Sequence, residues 1–238
     1  MSVVYLVRHG QAGTRDHYDS LSDLGSQQAR LLGEHLAALS LQFEAAYCGS
    51  LARQGATAEA VRAACPAIPE PKIDSGWDEF DLARVYSEMA PLLARDDPQF
   101  RRQYEKMQEA LAASRGVHDA PIHRRWNDCD KLMVRSWVEG LYEYSGESWV
   151  AFSDRVRAAF DRICGAGHEG NVIVFTSSTP IAILAAGSLQ IFDWRVLQLA
   201  GVQLNASFST VRIRSNEVRL FQFNCAEHLA DPAMRTFR

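Results

Sequence analysis

The chain has 238 residues, 47% of them hydrophobic and 23% charged, a composition that belongs to folded globular proteins and excludes a disordered one. Its 25 Lys and Arg against 29 Asp and Glu give a net charge of −4, so no nucleic-acid or membrane partner is expected on charge grounds. No apolar run is long enough to span a bilayer. The N-terminal MSVVYLVRHG meets Arg8 and His9 too early for a signal peptide. Cys48, Cys65, Cys129, Cys164 and Cys225 are scattered, without a CxxC pair or metal-ligand spacing, which predicts reduced, mostly buried thiols and a cytoplasmic location.

The length suits one domain over 1–238 carrying an insertion. Val3–Val7 is a β-rich run of the length of a buried central strand and ends in the polar cluster Arg8-His9-Gly10-Gln11. Ser22 can cap a helix in which Ala29, Leu32, Leu36 and Leu39 recur at helical spacing. Phe43–Cys48 predicts a second strand, and Gly49-Ser50 opens a helix through Ala52, Ala56, Ala60 and Val61. Strand, helix, strand, helix implies a parallel sheet with crossover helices. Pro66, Pro69 and Pro71 break the chain before a short strand near Lys72–Ile73.

From about Asp81 to Ser145 the sequence is polar and helix-rich. Phe100, Tyr104, Met107 and Leu111 form one stripe and Val134, Trp137 and Leu141 another, both read as packing faces. This region is predicted to be a helical insertion, at about 81–145, covering one end of the sheet as a lid. Strand and helix then alternate again. Trp149, Phe152, Val156, Ala159 and Ile163 mark an amphipathic helix, and Val172–Phe175 a buried strand. The polar turn Thr176–Thr179 leads to a helix from Pro180. Ser207–Arg214 and Glu217–Phe223 read as a hairpin turning at Ser215-Asn216. The fold class is therefore α/β, a mostly parallel central sheet flanked by helices.

Ligands in open α/β sheets bind beyond the carboxyl ends of the parallel strands. Arg8 and His9 follow the first strand, Ser50 and Arg53 the second, and Thr176–Ser178 a later one. In this order the segments resemble those of the histidine phosphatase superfamily (phosphoglycerate-mutase-like). The resemblance rests on Leu6-Val7-Arg8-His9-Gly10-Gln11, on Leu21-Ser22 with Gly25, Gln28 and Ala29, and on Ser50-Leu51-Ala52-Arg53 with Thr57-Ala58. Gly146-Glu147-Ser148 with Arg155-Val156, and Asn205-Ala206-Ser207, extend it towards the C-terminus. It implies that His9 is phosphorylated and that Arg8 and Arg53 bind the phosphate.

The residues suit that chemistry. A neutral imidazole is a nucleophile towards phosphorus, and guanidinium forks match phosphate oxygens and stabilise charge without a metal. No metal and no cofactor is expected; the expected partner is a small phosphorylated substrate or ligand. The resemblance places the general acid at Glu79, with Asp78 and Asp81 as competing neighbours. Gln11 and Ser178 are candidate pocket residues.

One departure stands out. The family carries a second histidine after the later strand, and this chain has Val174-Phe175-Thr176-Ser177-Ser178-Thr179-Pro180. Aligned on Pro180, Ser177 stands at the histidine position, where a hydroxyl offers a hydrogen bond but no charge. His17 is the nearest substitute by sequence. His118 and His123 lie in the insertion, and His35, His168 and His228 have no motif context. His123-Arg124-Arg125 is a small basic cluster. Two readings follow: a metal-independent phosphohydrolase of low activity that forms a phosphohistidine at His9, or a catalytically impaired member of the same fold that binds a phosphorylated ligand or a protein. A mutase is disfavoured, because it must protect its phosphohistidine from water with one histidine fewer.

Overall fold

A computed structural model describes residues 2–124, 126–192, 194–214 and 217–238. Its first strand, β1 (Ser2–Arg8), leads to helix α1 (Asp23–Ala38), strand β2 (Phe43–Cys48), helix α2 (Ala52–Ala64) and the short β3 (Lys72–Ile73). Helices α3 (Leu82–Asp96), α4 (Pro98–Ala113), α5 (Pro121–Arg124) and α6 (Asp128–Val138) follow. Then come α7 (Trp149–Gly165), β4 (Asn171–Thr176), α8 (Ser178–Ser188), α9 (Val196–Val202), β5 (Phe208–Arg214) and β6 (Glu217–Cys225).

The six strands form one sheet in the order β3-β2-β4-β1-β5-β6. β1, β2, β3 and β4 run parallel, while β5 pairs antiparallel with both β1 and β6. The two central strands explain their own sequences. Val172, Ile173, Val174 and Phe175 are all fully buried, as are Val4, Leu6 and Val7. Successive residues point to opposite faces, so continuous burial means that both faces of the sheet are covered, which continuous apolar runs predict. The β5–β6 pairing agrees with the predicted hairpin strands; Ser215 and Asn216 lie outside the described residues.

Ser22 caps α1, its hydroxyl accepting from the Gly25 amide at 3.0 Å. Ala29, Leu32 and Leu36 are buried, but Leu39 is the C-cap residue and is exposed, because the helix ends one residue before it. Gly25 belongs to the first turn, and Gly10 belongs to the loop after β1. A Cβ on Gly10 would lie 2.3 Å from the Gly25 carbonyl oxygen, and one on Gly25 would lie 2.2 Å from that of Gln11. Only glycine at both positions lets the loop carrying His9 sit directly on α1.

The chain divides into two compact units, 1–79 with 155–237, and 80–154 with Arg238. The first holds the sheet. The second is helical and has its own core, in which Phe100, Met107, Met133, Val134 and Trp137 are buried and Phe80 stacks on Trp137 at 4.5 Å. Tyr86 donates to the buried Asp130 at 2.7 Å. Leu141 leaves its expected stripe: α6 stops at Val138, Gly140 takes a positive φ of 63°, and Leu141 is exposed. His123 is buried against the Ser114 hydroxyl at 3.1 Å, so it is not part of a solvated basic cluster; Arg125 lies outside the described residues. All five cysteines are free, and Cys48, Cys65 and Cys129 are buried. Among the described residues no helix is long and apolar enough to cross a membrane.

Candidate functional site

β1 ends at Arg8, and His9 takes the next position, its amide donating to the Thr176 carbonyl of neighbouring β4 at 2.9 Å. On the other side Ala206, in the left-handed region with φ 55°, donates its amide to the His9 carbonyl at 3.1 Å. The His9 backbone is thus gripped from both sides, and its ring is buried. Nδ1 lies 2.7 Å from the Gly10 carbonyl oxygen. A carbonyl only accepts, so Nδ1 carries the proton and Nε2 the lone pair. Arg53 Nε donates towards that Nε2 at 3.4 Å. Burial first, then the positive charges of Arg53 and Arg8, push the His9 pKa well below the usual histidine value, against the hydrogen bond to Gly10. The ring is therefore neutral at pH 7, with its lone pair aimed at a guanidinium.

α2 supplies Arg53 from its first turn and holds the loop beside it through Thr57. The Thr57 hydroxyl accepts from the Gly10 amide at 3.1 Å and donates to the Arg53 carbonyl at 2.7 Å. The buried Arg53 guanidinium stacks under Tyr18, 4.8 Å from the ring centroid, and NH1 donates to Asp19 Oδ1 at 3.0 Å. Tyr18 also meets the His9 ring edge-on at 6.4 Å. Arg8 is equally buried but is held differently, NH1 donating to the Gln203 carbonyl and NH2 to the Phe237 carbonyl at 2.7 Å. The segment before Phe237 is tied down as well. Gln28 Nε2 donates to Met234 O at 2.7 Å, and the Asn205 amide to Thr236 O at 2.8 Å.

β4 ends at Thr176, and Ser177 is the N-cap of α8. The helix starts at Ser178, two residues before the expected Pro180. Proline is tolerated in this first turn because the amides there have no intrahelical acceptor. Ser177 is fully buried, and its hydroxyl accepts from Gln54 Nε2 at 2.9 Å. The same Gln54 nitrogen donates to Trp77 O at 3.1 Å, and the Thr176 hydroxyl reaches that carbonyl at 2.6 Å.

The three acids diverge. Asp78 accepts from the Ser50 amide and hydroxyl, both at 2.5 Å. Asp81 caps α3 through the Arg84 amide at 3.0 Å. Glu79 Oε2 accepts from the Thr179 amide at 3.1 Å, in the first turn of α8 beside Ser177. Gln11 turns to the start of α1, where its side-chain oxygen accepts from the Ser22 hydroxyl at 2.8 Å. Ser178 offers its carbonyl to Gln203 Nε2 at 2.8 Å.

The structure thus joins His9 to Arg53 directly, and Ser177 to the same helix through Gln54. Sequence reasoning missed Tyr18, Asp19 and Gln54. Gln54 had a signal: it shares a helical face with Ala58 and Val61, so it is a polar residue on a buried face. Asp19 had none beyond its place in the loop after β1.

A family model described as the histidine phosphatase superfamily (branch 1) matches residues 4–136 and 115–226. The chain belongs to that superfamily. No curated protein matches it in sequence. Solved structures do match. A phosphoserine phosphatase from Entamoeba histolytica in complex with 3-phosphoglyceric acid aligns with a TM-score of 0.62 at 18% identity, covering 96% of this chain and 100% of that one. A mycobacterial glucosyl-3-phosphoglycerate phosphatase with inorganic phosphate aligns at 0.61 and 20% identity, covering 95% and 99%. At these identities the superfamily member shares a fold with them, and the mostly parallel α/β architecture is the one expected.

Proposed function

We propose that the protein is a metal-independent phosphohydrolase that cleaves a small phosphomonoester through a phosphohistidine at His9. The observation that carries this reading is the buried, neutral imidazole whose Nε2 lone pair faces the Arg53 guanidinium. Nε2 attacks phosphorus while the ester oxygen leaves with a proton from Glu79. In the second step Glu79 takes a proton from water, the water oxygen attacks phosphorus, and the N–P bond breaks. Arg53 and Arg8 supply the positive charge that the transferring phosphoryl group needs. For Arg8 this means exchanging a backbone carbonyl for a phosphate oxygen. Glu79 is favoured over Asp78 and Asp81 because it alone of the three meets the first turn of α8.

Ser177 supports low activity. Its hydroxyl is fixed by Gln54 and offers a neutral hydrogen bond, about half as strong as a charge-assisted one. The same observation favours the second reading, a catalytically impaired phospho-ligand-binding or protein-interaction member. The helical region at about 81–145 is proposed as a lid within a single domain over 1–238. Gln11 and Ser178 are proposed to complete the pocket, and the five free thiols support a cytoplasmic setting.

Hydrolysis of p-nitrophenyl phosphate, with and without chelator, tests the reading. Slow turnover that persists in chelator is expected, together with acid-labile phosphate on His9. Binding of inorganic phosphate without turnover or phosphohistidine would select the second reading, and activity restored only by added Mg²⁺ or Zn²⁺ would overturn the mechanism.

A further inference from the structure

Asp19 stands in the loop after β1, yet its carboxylate is spent on α2. Oδ2 accepts from the Ala52 amide at 3.1 Å, and Oδ1 from the Arg53 amide at 3.2 Å. Oδ1 also accepts from Arg53 NH1 at 3.0 Å. Three donors on two oxygens fix the carboxylate, and the fixed carboxylate in turn fixes one edge of the guanidinium. Tyr18, the preceding residue, fixes its plane by stacking at 4.8 Å. With plane and edge both set, the guanidinium cannot rotate about its long axis, and Nε is left directed at His9 Nε2, 3.4 Å away. The arrangement is lopsided in burial: the Arg53 side chain is 6% exposed and that of Asp19 47%.

We propose that Asp19 is a positioning residue that sets the orientation of Arg53 against the His9 nucleophile. The assignment takes its catalytic meaning from the phosphohistidine reading, since Arg53 is the guanidinium that would meet the phosphoryl group beside Nε2. Positioning effects of this kind act on the reacting geometry, so removal of Asp19 should lower kcat for p-nitrophenyl phosphate about tenfold.

The decisive measurement does not need turnover. The charges acting on the His9 ring are the guanidinium groups of Arg53 and Arg8, and Tyr18 borders it edge-on. In Asp19→Ala the Arg53 guanidinium is free to swing away, and the proton affinity of His9 should rise, by threefold or more, in an NMR titration of its ring. Loss of a nearby anion alone would move the titration the other way, so the sign separates the two. Asp19→Asn keeps an oxygen for NH1 and should recover at least half of the shift. Arg53→Ala should also produce a rise, and adding Asp19→Ala to it should raise it no further. Should the alanine variant fail to fold, Asp19→Ser leaves a hydroxyl near the α2 amides but does not reach NH1, and is read in the same way. An unchanged or lowered His9 titration in the alanine or serine variant would overturn the assignment. A rise in His9 proton affinity without p-nitrophenyl phosphate turnover in the natural protein would overturn the phosphatase reading and leave the positioning of Arg53 established.

Discussion

His9 and His228 are both histidines with suppressed basicity in the sheet-containing unit, but for different reasons and in different company. Burial, Arg53 and Arg8 hold His9 neutral, and its two nitrogens have distinct tasks on Gly10 and Arg53. His228 is pushed down to about 4 by burial first and then by His35, whose ring lies 5.8 Å away and itself packs on Phe208. One ring has a guanidinium directed at its lone pair; the other lies among tilted rings, with the Ala206 backbone as its polar contact. A lowered pKa marks poor solvation of the cation, and only the directed contacts distinguish a reactive group from a packed one.

The largest expected effect breaks the comparison outright. His9→Ala should abolish p-nitrophenyl phosphate turnover, a loss of roughly 10³-fold or more, because the proposed nucleophile is gone. His228→Ala should keep kcat within about twofold; a comparable loss there would place His228 in the chemistry.

The next effect concerns stability. The unfolded chain binds a proton at His228 near pH 6.5 and the folded chain only near pH 4. Between those values the unfolded state holds more protons, so stability present above pH 6.5 is lost as the pH falls towards 4, by about 3 kcal/mol. His9 adds to the loss in the same direction. His228→Phe, which keeps an aromatic ring beside His35, should remove its share. Urea midpoints for both proteins at pH 7 and pH 4.5 measure it, and equal pH sensitivity would contradict the assignment.

Arg53→Met sharpens the contrast by leaving His9 in place without its directed partner. A fall in kcat/KM of about 10²-fold is expected, the size of a lost donor to a developing anion. Steady-state kinetics against p-nitrophenyl phosphate read it, and an unaffected kcat/KM would remove Arg53 from the site.

The smallest effect is at Ser177. Ser177→Ala should reduce kcat by tenfold at most, since a single neutral hydrogen bond is lost. Restoring an imidazole needs space, and the Gln54 side chain lies 2.9 Å from the hydroxyl. Ser177→His with Gln54→Ala should therefore raise kcat above the natural protein, whereas Ser177→His alone should not. If the double variant is slower, the serine belongs to a different working arrangement.

The sheet was legible because its central strands are continuous apolar runs and their flanking helices carry regular stripes. The errors sit at helix ends, where a single residue changes the outcome. Leu39 and Leu141 continue the spacing of their helices but lie beyond the last turn, and periodicity carries no information about where a helix stops. α8 begins at Ser178 because proline can occupy any position in a first turn, not only its first. In the site, His9 and Arg53 were visible as motif residues at strand ends. Asp19 and Tyr18 were not, because their roles come from a loop folding back on a helix more than thirty residues later, and short-range patterns do not encode such a return.

Arg8 has a further consequence, in biosynthesis. Its side chain is held by the carbonyl groups of Gln203 and Phe237, the latter 229 residues further along the chain. At typical translation rates of 5–20 residues per second, roughly 10–50 s separate the appearance of this arginine from that of Phe237. Until both carbonyls have emerged the nascent chain carries a guanidinium destined for burial without two of its final acceptors, and His9 next to it takes its final surroundings only once Phe237 has been added.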